Sequence, residues 1–302
     1  MEKCNTISGE SINLILDTDI GPDCDDAGAL TLLHLLAKKK KINFLAMTNC
    51  TSNPYGAGTI DAINLFHGKK DIPIGTFEKS GFLEDGFSQK YNKFITLNYK
   101  NRYIPPVKAP GALSVLKKVL STAADTSVTV LAIGPLNNLA ALIADSEGYN
   151  LVKKKVICLV SMATAQNQEF TEWNVEMDIH AAALVCKVWP GPVVFSPFET
   201  GSVIITGKDF GTLDQEHPVR TAYRLFNDGD EKKGRMSWDL AAAWYAVMGT
   251  GPFFRLSNPY DIVVLDNGRI KKSDNPLGKF RFLENNIEPE KIAEGIEAIW
   301  SI

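Results

Sequence analysis

The chain has 302 residues, 45% hydrophobic and 22% charged, a mixture that supports a large buried core and excludes a mainly disordered state. With 35 acidic residues against 32 Lys plus Arg the formal charge is −3, and the lysines at 38–41, 117–118, 153–155 and 271–272 are scattered, which argues against nucleic-acid binding. The five cysteines (Cys4, Cys24, Cys50, Cys158, Cys186) are widely separated and lack C-x-x-C spacing, so no disulfide framework or zinc cluster is expected and a reducing compartment, the cytoplasm, fits best.

Residues 1–10 carry no apolar stretch of signal-peptide length and read as a flexible N-terminus. No run approaches the roughly 20 apolar residues of a membrane span. Short β-branched runs then follow at 12–17, 42–47, 128–133, 156–160 and 193–196, each leading into a turn or a helical pattern. The spacing predicts helices over 26–37, behind an Asp25 N-cap, and over 57–67, 135–144 with Pro135 in the first turn, and 288–300. Such alternation predicts an α/β fold, a single domain over 1–302 with a mainly parallel central sheet flanked by helices. In an open parallel sheet, ligands bind beyond the carboxyl ends of the strands. The aperiodic, Gly- and aromatic-rich segments 76–108 and 199–237 read as surface coverings of that crevice.

The first strand ends in Asp17-Thr18-Asp19-Ile20-Gly21-Pro22-Asp23-Cys24-Asp25-Asp26-Ala27, and no Lys or Arg occurs between Lys3 and Lys38. Helix capping and solvated turns account for two or three of these five carboxylates. Crowded at the end of a buried strand, the whole set calls for a hard divalent cation. An EF-hand is excluded, because its turn glycine would be Pro22 and its final Glu would be Gly28.

Strand-D-T-D-x-G followed by D-D-A resembles the signature of the inosine-uridine-preferring nucleoside hydrolase family, with two residues more than the common D-x-D-x-G-x-D-D-A form. Three further segments extend the likeness. Val130–Ala140 is similar to the family's strand-x-x-G-P-L-T-N-x-A element; Asn167–Asn174, followed by Asp178, is similar to N-x-x-x-x-A-E-x-N; Ser237-Trp238-Asp239-Leu240-Ala241 resembles the late H-D-P-L-A, with Trp238 in place of His.

The resemblance implies an open, Rossmann-like nucleoside hydrolase core and metal-dependent hydrolysis of the N-glycosidic bond of ribonucleosides. It implies one Ca²⁺ held by Asp17, Asp26, Asp239 and the Ile133 carbonyl, with Asp17 as general base. Asp25, Asn167, Glu172 and Asn174 would bind the sugar, with Asp23 left open as the alternative to Asp25, and Trp238 would face the base. Asn49 or Asn53 falls near a pocket-lining element of the family, although local turns would use both equally well. A homo-oligomer, dimer or tetramer, is the family's habit.

None of His34, His67, His180 and His217 falls on a motif position, and none is given a role. Trp238 cannot protonate a departing base, which leaves Tyr91, Tyr103 and Tyr223 in the covering segments as candidates. Two other readings stand beside the hydrolase: a non-catalytic nucleoside or sugar binder, and a haloacid-dehalogenase-like phosphatase with Asp17 as nucleophile.

Overall fold

The computed structural model describes residues 11–39, 41–84 and 90–301, so the N-terminal stretch 1–10 lies outside the described residues. Alternation along the first strand sets the layering. In β1 (Ser11–Thr18), Leu14 and Leu16 enter one apolar core and Ile15 the core on the opposite face, and all three are fully buried. A strand covered on both sides has no need of a polar face, which is why INLIL is nearly continuous in apolar residues.

The remaining strands are β2 (Lys41–Asn49), β3 (Ile74–Thr76), β4 (Val128–Ala132), β5 (Val156–Met162), β6 (Val193–Ser196), β7 (Ile205–Thr206), β8 (Arg235–Met236), β9 (Phe254–Leu256), β10 (Tyr260–Val264), β11 (Ile270–Asp274) and β12 (Phe280–Asn285). The main sheet runs β11-β10-β12-β6-β5-β4-β1-β2-β3, and every pairing from β12 through β3 is parallel. Antiparallel β9, β10 and β11 close the β12 edge, and β7 pairs with β8 in a separate ribbon. The five strands read from the sequence correspond to β1, β2, β4, β5 and β6. The α/β expectation holds, with the antiparallel edge as an addition.

The chain leaves β1 toward β2 and β3, then returns to place β4 on the other side of β1. Loops therefore diverge above the β1/β4 boundary and open a crevice there. Register brings the two ends level, since Asp17 pairs with Ala132 in β4 and with Thr48 in β2.

Helix boundaries differ from expectation by one to three residues, for identifiable reasons. The first helix runs Asp25–Leu36 with Cys24 at its N-cap, so Asp25 lies inside the first turn and does not cap it. All twelve residues of that helix are buried, and it packs against the equally apolar helix Trp238–Met248. The helix after β4 is Asn137–Ala144, with Pro135 ahead of it in the turn. The last helix is Pro289–Glu297, continued by a 3-10 turn over Ala298–Ser301. Among the described residues no helix is long and apolar enough to cross a membrane. Cys24, Cys50 and Cys186 are free and buried.

Candidate active site

Two helices aim their N-termini at the crevice. Asp25 and Asp26 occupy the first turn of one, Asp239 the first turn of the other, and the Asp239 amide donates to Asp25 Oδ2 at 3.1 Å. Each helix end presents unpaired N–H groups and the positive end of a dipole, so both favour carboxylates there. One carboxylate oxygen from each of Asp25, Asp26 and Asp239 lies within 4.8 Å of the others, and all three residues are buried.

Such a group is under electrostatic load. Burial, followed by the charges of the neighbouring aspartates, pushes the Asp25, Asp26 and Asp239 carboxyls well above the usual carboxylate range. Among the described residues no Lys or Arg pairs with any of the three. The one guanidinium lining the cavity, Arg235, is engaged by Asp23. Three crowded, hard oxygen donors without a cation are the donor set that Ca²⁺ or Mg²⁺ requires, so the residues fit such an ion.

Above the group opens a cavity of about 360 Å³. Its floor is acidic, with Asp19, Asp25, Asp26 and Asp239, and Ile133 and Glu172 stand at the exits of β4 and β5. Asp19 is buried with a carboxyl raised to about 7 by desolvation, and Asp26 hydrogen-bonds to it. Asp17 stands apart: it does not line the cavity and is not one of the three grouped carboxylates. Its Oδ1 accepts from Asn138 Nδ2 at 2.8 Å and from Thr48, and it is fully buried beneath them. Pairing with Thr48 and Ala132 keeps Asp17 within the sheet, and Asp19, one residue past the strand end, is the member of the pair that reaches the crevice. A side chain sealed in this way also cannot act as the nucleophile that the phosphatase reading requires.

The Ile133 amide donates to Asp17 O at 2.8 Å, which ties the β4 exit to the β1 exit, and the next residue has room for no side chain. A Cβ on Gly134 would lie 2.7 Å from both Asp19 N and Cys50 Sγ. Gly134→Ala is accordingly expected to cost about 1–3 kcal/mol of stability and to displace the Asp19 backbone. Paired thermal melts and activity assays check this, and the expected outcome is a larger loss of activity than the lowered midpoint explains.

The sugar-side residues divide. Glu172 and Asn174 both line the cavity, and Glu172 N-caps the short helix Trp173–Met177, so the two are held by a capped turn. The Glu172 carboxylate accepts from the amides of Thr164, Asn174 and Val175 at 3.0, 2.9 and 3.3 Å, while burial pushes it up to about 8 against those bonds. Asn174 Nδ2 donates to Met162 O at 2.9 Å. Asn167 is exposed and outside the cavity; its Oδ1 accepts from the Glu169 amide in a local turn.

The opposite wall is aromatic. Trp238, Phe198 and Trp173 line it, and Trp238 Nε1 is fixed by the Phe198 carbonyl at 2.9 Å.

A sequence profile described as "Inosine-uridine preferring nucleoside hydrolase" matches residues 14–275. The chain belongs to the inosine-uridine-preferring nucleoside hydrolase family. No curated protein sequence matches it. Among solved structures, the inosine-uridine preferring nucleoside hydrolase of Bacillus anthracis superposes with a TM-score of 0.70 at 14% identity, covering 96% of this chain and 99% of that one. The purine-preferring ribonucleoside hydrolase of Gardnerella vaginalis gives 0.70 at 15%, covering 96% and 99%. The type III effector XopQ, solved in complex with adenosine diphosphate ribose, gives 0.69 at 13%, covering 100% and 98%. Identities this low establish the shared nucleoside hydrolase fold.

Within this nucleoside hydrolase-family chain, the other candidates lie away from the cavity. Asn49 and Asn53 serve local turns through Thr51 O and the Tyr55 amide. Tyr91 donates to Asp23 O at 2.6 Å, and none of Tyr91, Tyr103 and Tyr223 lines the cavity. Arg235, Phe198, Trp173 and Asp19 line the cavity without having been singled out in the sequence, whereas Asp17 was singled out and does not line it. For Asp19 the signal was present in its place beyond the strand end. For Arg235 nothing local marked it, because its partner lies 212 residues earlier.

Among the described residues no histidine lines the cavity either. His34, His67 and His217 instead pack together elsewhere, with His34 and His217 buried and His67 half-buried between them, its ring 4.7 Å from that of His34 and 5.0 Å from that of His217. Burial lowers all three, to about 3, 4 and 3. The unfolded chain takes up these protons near 6.5, so their contribution is full above that pH and is lost as pH falls from about 6.5 toward 3. Urea midpoints measured from pH 7 to 4 should fall, and a His34→Gln/His67→Gln variant should flatten the profile relative to the native chain.

Proposed function

We propose that this chain hydrolyses the N-glycosidic bond of ribonucleosides, releasing base and ribose, with one Ca²⁺ as cofactor. The observation that carries the proposal is the group of three buried carboxylates, paired with no Lys or Arg among the described residues, on the floor of a nucleoside-sized cavity. Asp26, Asp239 and the Ile133 carbonyl, with Asp25 beside them, would hold the ion. When bound, it would supply the positive charge that makes an attacking water more acidic and a template for two ribose hydroxyls.

Each remaining demand of the reaction falls to a residue of the chain. Asp19, which lines the cavity beside Asp26, is the general base that accepts the water's proton; Asp17, sealed under Thr48 and Asn138, is a structural link between β1 and the Asn137–Ala144 helix. Asp25, Glu172 and Asn174 orient the sugar. Asp25 is preferred to Asp23 because Asp23 is engaged by Arg235. The aromatic wall excludes water and shapes the base pocket.

Incubation with inosine, uridine, guanosine and p-nitrophenyl riboside in Ca²⁺, with detection of free ribose, tests the reading. Ribose release abolished by chelator and restored by Ca²⁺ supports it. Tight nucleoside binding with no release would instead favour the binder, the reading that Trp238 in place of a proton donor supports. Assembly as a dimer or tetramer belongs to the same proposal, and sedimentation velocity decides it.

A further inference from the structure

Arg235 is the only cationic side chain lining the cavity among the described residues, and it is immobilised on three sides. Its guanidinium carbon lies 5.1 Å from the ring centroid of Phe226 and 5.1 Å from that of Trp238. Nε donates to both oxygens of Asp23 at 3.0 and 2.8 Å, and Nη2 donates to Oδ2. Asp23 belongs to the stretch in which this chain exceeds the common signature, so the added length contributes a carboxylate to Arg235. Nη1 contacts only the weak acceptor Met236 Sδ, at 3.6 Å. The side chain is 29% exposed. Beyond Asp23 and Met236 Sδ the guanidinium has no hydrogen-bond acceptor among the described residues, so N–H donors remain on both Nη1 and Nη2, in the planar geometry that suits two adjacent acceptors.

We propose that these donors of Arg235 bind the acceptor atoms of the departing base and stabilise the charge that develops there, the task for which neither Trp238 nor any histidine or tyrosine is placed. The inference rests on the hydrolase reading and adds to it the residue that handles the leaving group. As the C1′–N bond breaks, its electron pair stays on the base nitrogen. The C1′–O bond forms to water, whose proton passes to Asp19. Arg235 keeps all its protons, and the base anion, held by two hydrogen bonds, takes its proton from solvent as it departs; Asp19 returns its own to solvent. Two such donors fit the adjacent O6 and N7 acceptors of a 6-oxopurine, whereas adenine presents a donor at position 6. The pairing with Asp23 and the two aromatic faces hold the guanidinium in place before substrate arrives, so little reorganisation accompanies bond breaking.

The test compares the full-length native protein with Arg235→Met, Arg235→Lys and Asp23→Asn in saturating Ca²⁺. Arg235→Met should lower kcat/KM for inosine by about 10²–10³-fold, as removal of a preorganised donor does elsewhere. p-Nitrophenyl riboside, whose phenolate leaves unaided, should change by no more than about threefold, and free guanidinium should restore part of the inosine activity. Arg235→Lys and Asp23→Asn should fall between the two extremes, and the native preference for inosine over adenosine should shrink in all three. Equal losses on both substrates, or unchanged inosine turnover, would overturn the assignment. If the native protein hydrolyses neither compound, the hydrolase reading fails, and calorimetric affinities for inosine and for ribose still decide the subsite. Weaker inosine binding with unchanged ribose binding in Arg235→Met supports it, and parallel changes overturn it.

Discussion

Asp239→Asn is expected to raise the thermal midpoint of the chelator-treated protein while abolishing both its Ca²⁺ response and its turnover. The opposite signs follow from one geometry. Without a cation, Asp25, Asp26 and Asp239 hold mutually repelling oxygens in a buried site, and burial and neighbouring charge already weigh against their ionised forms. An amide at 239 removes one of those charges at nearly constant shape. With the ion, the same change removes a ligand and a charge from the donor set. The native protein should gain about 2.7 kcal/mol when free Ca²⁺ stands at 100 times its dissociation constant, and the variant essentially nothing. Differential scanning in EDTA and in graded Ca²⁺ reads both effects. A variant destabilised in EDTA would show that Asp239 acts by capping its helix, and a retained Ca²⁺ shift would place the ion elsewhere.

What the sequence revealed and what it hid divide along the range of the interaction. Motifs confined to one turn were legible: the acidic run after β1, Ile133 just ahead of the Gly-Pro-Leu turn after β4 and the Asp at the head of the Trp238–Met248 helix all converge on one crevice. Their local geometry permits it, since each follows a strand or opens a helix. Choosing within the acidic run was another matter. Asp17 and Asp19 are both carboxylates beside the same strand end, and only pairing with β2 and β4 decides which is enclosed. The Glu172-x-Asn174 spacing likewise suits an extended segment as well as a capped turn, and the amides of Thr164, Asn174 and Val175 select the turn. Asn167 carries the right side chain at nearly the right spacing, but the turn through Glu169 leaves it in solvent. Arg235 depends on a contact across most of the chain, and no pattern of period 2 or 3.6 encodes such a contact.

Replacing the two carboxylates of the first strand's exit one at a time should separate their roles by orders of magnitude. Asp19→Asn removes the group that accepts the water's proton, and kcat should fall by about 10²–10⁴-fold with little change in KM, since an amide retains the shape but not the basicity. Asp17→Asn preserves an oxygen that accepts from Thr48 and Asn138, so it should leave kcat within about tenfold and show its effect in stability. There the new Nδ2 takes the place of Oδ2, which has no hydrogen-bond partner, and an unsatisfied buried donor costs about 1–3 kcal/mol. Steady-state kinetics on p-nitrophenyl riboside isolates this step, because its leaving group needs no assistance and the water's deprotonation then dominates the barrier. The reverse ranking, with Asp17→Asn inactive and Asp19→Asn near native, would mean that β1 shifts its register when substrate binds, bringing Asp17 into the crevice. Equal inactivation of both, with Ca²⁺ affinity lost in Asp17→Asn alone, would return Asp17 to the ligand shell and leave Asp19 as the base.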